Sequence, residues 1–196
     1  MKERRGWNTV RAALVGLTLA ALAAVLLLVR NQGAAQGAPD PPPEAVTPAI
    51  DGAGGAFPIE GAALSTERRW VVFDVAEGAD GDEPPPGLGH AARLLNVYAA
   101  HGVAPARVRL TLVVHGEATA AVLDDGAHRR RAGGANPHDG LVRRLEANGV
   151  RVQVCGQALR HRGFSTDGVL DEVDVVASAM TALIDEQRAG AALLTY

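Results

Sequence analysis

Strand-like and helix-like segments alternate along the chain from about residue 67 to residue 196, and this alternation constrains the fold most strongly. Five segments show the apolar or alternating pattern of β-strands: residues 70–75, 107–115, 150–155, 173–177 and 191–195. Helical segments separate them, and strands joined through helices run parallel. We therefore predict one α/β domain of roughly 130 residues with a mostly parallel five-stranded sheet and helices on both faces.

The segments between the strands differ in how clearly they predict helices. Asn136 followed by Pro137 is typical of a helix start, because the asparagine can cap the helix and proline suits its first position. A last helix is predicted after Ser178, with four side chains on one side: Met180, Leu183, Ile184 and Gln187. Residues 76–86 read as an acidic, Gly/Pro-rich loop, and residues 124–135 as an irregular, Arg-rich excursion.

The first 66 residues differ in composition from the predicted domain. Four basic residues, beginning with Lys2, precede residues 12–29, a run of 18 apolar or small residues. This pattern predicts that residues 1–30 form a signal peptide or membrane anchor, with the following chain periplasmic or otherwise outside the cytoplasm. Residues 31–66 are rich in Gly, Ala and Pro and read as a disordered linker.

Charge and cysteine content narrow the possible partners. The net charge of the whole chain is −3, and without residues 1–30 it is −7, because that segment carries five basic residues and one acidic residue. An acidic domain without a basic stripe argues against a nucleic-acid partner. With Cys155 as its single cysteine, the chain can form no internal disulfide.

Three predicted strands end in, or close to, a reactive side chain: Asp74, His115 and Cys155. The carboxyl ends of parallel strands share one edge of the sheet, where ligands bind. There, His115 could take the thiol proton of Cys155, and the start of the next helix could favour the thiolate. Alternatively, Cys155 is a small buried apolar residue, His115 caps backbone groups and Asp74 begins an ordinary turn.

Other motifs in the sequence are weak or absent. Gly87-Leu88-Gly89 lacks the third glycine of a dinucleotide-binding fingerprint, and the chain has no P-loop and no Gly-x-Ser-x-Gly elbow, so no cofactor is predicted. His115 with Glu117, or His128 with His138, could share a metal, but scattered histidines usually bind none. We predict no metal, and a metal-assisted hydrolase using His115 and Glu117 remains a third hypothesis.

A family resemblance rests on four short motifs in a fixed order along the domain. They are Leu94-Leu95-Asn96-Val97-Tyr98, Val113-Val114-His115-Gly116, Val154-Cys155 with Ala158 and Arg162-Gly163, and Ser178-Ala179-Met180-Thr181-Ala182-Leu183. In this order, residues 71–196 resemble the DsrE/DsrF-like sulfur-relay family, which has the YchN-like fold. The resemblance implies a homotrimer or homohexamer. It also implies that the cysteine matching Cys155 accepts sulfane sulfur as a persulfide and passes it to the thiol of a partner protein.

Beside the metal-assisted hydrolase, two functional hypotheses follow from these observations. The first is an exported sulfur-handling protein, sulfurtransferase-like in its chemistry, with Cys155 as the persulfide carrier and His115 and Asp74 as supporting groups. A thiol-bearing sulfur donor or acceptor protein would be its partner, and the membrane would be contacted through the N-terminal segment. The alternative is a non-catalytic oligomeric module that binds a small ligand or serves in assembly, in which Cys155 is structural.

Overall fold

The structure is a computed structural model that describes residues 50–51, 55–65 and 67–196. The predicted signal or anchor segment, residues 1–30, lies outside the described residues, as does most of the predicted linker. Within the described part of the chain, no helix combines the length and the apolar character that crossing a membrane requires.

One five-stranded parallel sheet forms the centre of the fold. The strands are β1 (Arg69–Val75), β2 (Val108–Val114), β3 (Arg151–Cys155), β4 (Asp174–Val176) and β5 (Ala192–Thr195). Their order across the sheet is β4-β3-β2-β1-β5, and every neighbouring pair is parallel. This sheet confirms the predicted α/β fold.

Five α-helices and three short 3-10 helices connect the strands. The α-helices are α1 (Pro86–Ala100), α2 (Asp125–Ala132), α3 (Asp139–Ala147), α4 (Gly156–Arg162) and α5 (Ala179–Arg188). The 3-10 helices are Pro105–Arg107, Gly116–Val122 and Thr166–Gly168. The helix at Gly116–Val122 directly follows β2 and lies at the carboxyl edge of the sheet.

The strand order explains why helices cover both faces. From β1 to β4 the chain moves across the sheet in one direction, so right-handed crossovers place α1, α3 and α4 on one face. The step from β4 to β5 runs in the opposite direction, and the same handedness places α5 on the other face. The two buried clusters agree: one joins the sheet to α1, α3 and α4, and the other joins it to α5.

The cluster under α5 is the smaller of the two. Its buried residues are Val72, Val113, Cys155, Ala179, Ala182 and Ala191. Small side chains on α5 let this helix lie close to the sheet. In consequence, Met180 and Ile184 point away from the sheet and are 74% and 53% exposed.

Residues 124–135 are not an irregular excursion, and this prediction is wrong. They contain α2, whose first turn is capped by Asp124 Oδ1 accepting from the backbone N–H of Ala127 at 2.6 Å. Gly133 ends the helix in the left-handed conformation, at φ +85°. The only buried residue of α2 is Ala127, so its sequence lacks the apolar stripe that would have indicated a helix.

The chain before Glu67 also makes contacts with the domain. Ile50 is fully buried in the larger core, and its backbone N–H and C=O both hydrogen-bond to the side-chain amide of Asn96 on α1, at 2.8 and 3.1 Å. Ala56 is buried as well, and Ile59 N donates to His101 Nε2 at 3.2 Å. These residues fall within the range that the sequence predicts to be a linker.

Candidate functional site

The carboxyl edge of the sheet carries Asp74, His115 and Cys155 on the three neighbouring strand ends of β1, β2 and β3. The strands are level at this edge, because Val114 of β2 pairs with Val75 on one side and Val154 on the other. Side chains alternate between the faces along a strand, so all three lie on the face that α5 covers. The shared edge predicted from the sequence is therefore present in the structure.

Asp74 and His115 form a hydrogen-bonded pair. The distance between His115 Nε2 and Asp74 Oδ1 is 2.5 Å, and both side chains are about one-quarter exposed. A carboxylate only accepts hydrogen bonds, so the proton in this contact lies on Nε2. In the neutral ring Nδ1 is then left as an acceptor, and the carboxylate fixes the orientation of the imidazole.

The backbone around Gly116 holds the ends of β1 and β2 together. His115 N donates to Val75 O at 2.9 Å, and Ala118 N donates to Ala76 O at 3.2 Å. Gly116 lies between them in the left-handed conformation, at φ +54°, and a Cβ atom there would be 2.8 Å from Ala76 O. The position of His115 beside Asp74 thus depends on a glycine at residue 116.

Cys155 is the N-cap residue of α4 and is buried, with 5% of its surface exposed. Its Sγ accepts a hydrogen bond from the backbone N–H of Ala158 at 3.4 Å. The hydrogen bond of the imidazole goes to Asp74, and that of the sulfur comes from Ala158. The structure therefore brings His115 to Asp74 and makes the thiol a separate group on the next strand.

The end of β3 is also the point where the topology of the sheet changes. The chain leaves β3 towards the face of α4, whereas it leaves the neighbouring β4 towards the face of α5. Such a divergence opens a crevice in which α/β proteins commonly bind ligands. Here a groove of about 760 Å³ begins at Gly156, next to Cys155, and continues between Arg160 of α4 and Val176 of β4.

An ion pair crosses the same edge. Arg162 of α4 hydrogen-bonds to Glu117 in the 3-10 helix after β2, and this guanidinium lowers the pKa of the Glu117 carboxyl. Glu117 therefore pairs with Arg162, and His115 pairs with Asp74. Within the described residues, no group of three or more His, Cys, Asp or Glu side chains is arranged to hold a metal ion.

The second histidine pair considered from the sequence comes from α2 and from the start of α3. His138 is buried at the start of α3, and burial lowers its pKa. The charge of His128 lowers the pKa of His138 further, while the Asp82 carboxylate opposes the shift. His128 uses its Nδ1 in a 2.9 Å contact with Gly134 O.

The sequence analysis misses a stack of three rings near Asp74, formed by Phe73, Tyr196 and His90. Tyr196 N donates to Asp74 O at 3.2 Å, and its ring stacks on His90 of α1 with centroids 4.2 Å apart. The other ring contact of Tyr196 is with Phe73, at 5.6 Å. The pairing of β5 with β1 brings Tyr196 to Asp74, and no local sequence pattern indicates this pairing.

Comparisons with known proteins give one family match and several similar structures. A family model described as the DsrE/DsrF-like family matches residues 71–196. A protein of unknown function, MTH1491 from Methanobacterium thermoautotrophicum, is 26% identical, with 66% of this chain and 100% of that chain covered and a TM-score of 0.48. The ychN protein from E. coli is 22% identical, with 65% and 99% covered and a TM-score of 0.44. No curated protein matches the chain.

Proposed function

Because the chain belongs to the DsrE/DsrF-like family, as its motifs predict, we propose that it handles sulfur and that Cys155 carries sulfane sulfur as a persulfide. The observation that carries this proposal is the position of Cys155. It ends β3 where the paths after β3 and β4 diverge, and its Sγ accepts the N–H of Ala158. The thiolate is the nucleophilic form of cysteine, and its sulfur can accept a hydrogen bond from a backbone N–H.

The proposed reaction moves one sulfur atom without a net redox change. The Cys155 thiolate attacks the outer sulfur of a donor persulfide or of thiosulfate, forming a new S–S bond while the donor's S–S bond breaks. The leaving group is the donor thiolate or sulfite, and it takes the electron pair of the broken bond. In a second step the thiolate of an acceptor protein takes the outer sulfur and releases the Cys155 thiolate.

We assign the Asp74–His115 pair a supporting role in this proposal. Asp74 fixes the ring of His115 one strand away from Cys155, and the ring can hold or release one proton. An attacking thiol must lose a proton and a leaving thiolate can gain one, so an imidazole at this edge serves both steps. The proposal also includes export through residues 1–30 and a thiol-bearing partner protein, as the sequence predicts.

A specific observation favours a second candidate, the non-catalytic binding or assembly module. Cys155 is 5% exposed and packs with Val113 and Ala179 under α5, as a small structural residue would. In that case the thiol contributes only packing, and the groove beside α4 holds a small ligand. The two candidates differ in whether a sulfur donor reaches Sγ in the native protein.

The test is to incubate the purified full-length protein, in mild detergent, with polysulfide or thiosulfate and to record its intact mass. We expect a gain of one or more sulfur atoms that a reductant reverses and that is lost in Cys155→Ser. The His115→Asn variant, a near-isosteric change, should gain sulfur more slowly. A native protein that gains no sulfur, and whose thiol reacts with reagents only after unfolding, would establish the structural role instead.

We further propose that the protein is a homo-oligomer, in line with the trimer or hexamer that the resemblance implies. The support is the apolar outer side of α5, where the exposed side chains of Met180 and Ile184 lie four residues apart and so neighbour each other on the helix surface. Replacing both by lysine should convert the oligomer to a monomer in light scattering coupled to gel filtration. Arg188→Lys on the same helix is the control, and an unchanged mass in the double variant would exclude this face as the interface.

A further inference from the structure

A second polar cavity lies on the α5 face of the sheet and shares Val176 with the groove beside α4. It is a crevice of about 330 Å³ between α5 and the side of the sheet that β3 and β4 form. We refer to it as the α5 crevice. Its polar lining comes from Arg151 and Gln153 of β3 and from Asp185 and Glu186 of α5, and Val176 and Ala182 supply apolar surface.

Gln153 is the first observation that points to a ligand in the α5 crevice. Its side chain lines the crevice, only 5% of the residue is exposed, and among the described residues its Oε1 has no hydrogen-bond partner. Buried side-chain oxygens in folded proteins nearly always accept a hydrogen bond, because an unpaired one costs about 1–3 kcal/mol. This oxygen is closed to solvent and has no donor in the part of the chain that the structure describes, so an N–H donor of a ligand in the crevice would satisfy it.

Glu186 is the second observation, since a buried carboxylate seldom occurs without partners. The residue is 7% exposed, and its Oε2 accepts from Trp70 Nε1 at 2.8 Å. A carboxylate has about four acceptor positions, so one indole N–H uses only part of its capacity. The lining thus presents acceptor oxygens from both of its walls.

The charges around the α5 crevice favour a cation. Arg151 is neutralised by Asp174, which accepts from its Nε at 2.9 Å. Asp185 and Glu186 then give the lining an excess of negative charge. A ligand that carries several N–H donors and a positive charge satisfies both the amide oxygen and the carboxylates.

We propose that the α5 crevice binds a small organic cation with an ammonium or guanidinium head. Its N–H groups donate to Gln153 Oε1 and to the Glu186 carboxylate, and a short aliphatic stem packs between Val176 and Ala182. This inference does not rest on the sulfur proposal. Gln153 precedes Cys155 by two residues on β3, but the residues of the crevice carry out no step of the sulfur transfer.

Trp70 provides a reporter for this proposal, because its indole N–H bonds to Glu186. The chain has two tryptophans, so the Trp7→Phe variant of the full-length protein leaves Trp70 as the only one. We would titrate it with methylguanidinium and with propylammonium at constant ionic strength and record the indole N–H resonance. A saturable shift is expected, with half-saturation on the order of 1 mM for ligands of this size. Urea and sodium chloride should give none.

Variants of Gln153 and Glu186 separate binding from a general effect of salt. Gln153→Leu and Glu186→Gln should each weaken binding at least tenfold, because each removes a buried acceptor. Gln153→Glu should tighten binding of the cation, because it replaces an amide oxygen by a carboxylate. This variant keeps the test decisive if Gln153→Leu folds poorly. Gln187→Leu, on the exposed side of α5, is the matched control and should bind as the parent does.

Three results would overturn the proposal. One is a titration without saturation, which would mean that water fills the crevice. Another is an equal shift with urea, which would mean that charge is not recognised. The third is unchanged affinity in both Gln153→Leu and Glu186→Gln, which would place the cation elsewhere on the protein.

Discussion

Replacing Asn136 by alanine should lower the free energy of unfolding by about 3–5 kcal/mol, because three buried hydrogen bonds are lost together. Asn136 Nδ2 donates to Ala121 O at 2.9 Å and to Leu123 O at 2.7 Å. Its Oδ1 accepts from His138 N at 2.9 Å, and the whole residue is buried. The side chain thereby joins the 3-10 helix after β2 to the start of α3. Urea unfolding followed by circular dichroism measures the change.

Asn148 provides the matched control for this substitution. Its Nδ2 donates to Arg144 O at 2.8 Å in an exposed hydrogen bond, so Asn148→Ala should cost about 1 kcal/mol or less. Asn136→Asp should be as harmful as alanine at neutral pH, because a carboxylate cannot donate to Ala121 and Leu123. Part of the loss should return at acidic pH, where a protonated carboxyl donates once. An Asn136→Ala variant as stable as Asn148→Ala would contradict this account.

Asn136 shows which features of a helix start a capping pattern predicts and which it misses. Asn136-Pro137 correctly predicts a helix in this region, but α3 begins at Asp139, and its N-cap residue is His138. The Asn136 side chain turns back to two carbonyls that lie 13 and 15 residues earlier in the chain. A local pattern contains the capping chemistry but not those distant partners, so the helix start is predicted two residues early.

The parallel sheet could be predicted because β-strands buried on both faces leave a strong local signal. Five of the seven residues in each of β1 and β2 are apolar, and the chain between these strands carries helical spacing. The helix α2 could not be predicted in this way, because its stability comes from a capping aspartate and a terminal glycine. The burial of Ile50 could not be predicted either, because its hydrogen-bond partner Asn96 lies 46 residues further along the chain, on α1.

The sequence predicts which sheet edge carries the candidate site, but it does not predict which side chains there contact each other. Parallel topology alone places Asp74, His115 and Cys155 at one edge, since all three follow or end a strand. Which of them would touch depends on the strand order, and that order places His115 between the other two. The burial of Cys155 follows from α5 crossing to the opposite face, which depends on the return to β5.

Replacing Gly116 by alanine should have the largest effect on the geometry of the site itself, with a loss of stability on the order of 3 kcal/mol. An alanine at φ +54° costs about 1–2 kcal/mol in backbone energy. The new Cβ would also lie 2.8 Å from Ala76 O, so this carbonyl must move. Since Ala76 O accepts from Ala118 N, the movement separates the ends of β1 and β2 that hold Asp74 and His115 together.

Gly163 separates the two contributions to this loss, because it is also left-handed, at φ +74°, but a Cβ atom added there would have no neighbouring atom within 4 Å. Gly163→Ala should therefore lose only the backbone part, about 1–2 kcal/mol. In Gly116→Ala the ring resonances of His115 should also shift as its bond to Asp74 lengthens, whereas Gly163→Ala should leave them in place. Equal losses in the two variants, with the His115 resonances unmoved, would mean that the approach of residue 116 to Ala76 does not position the histidine.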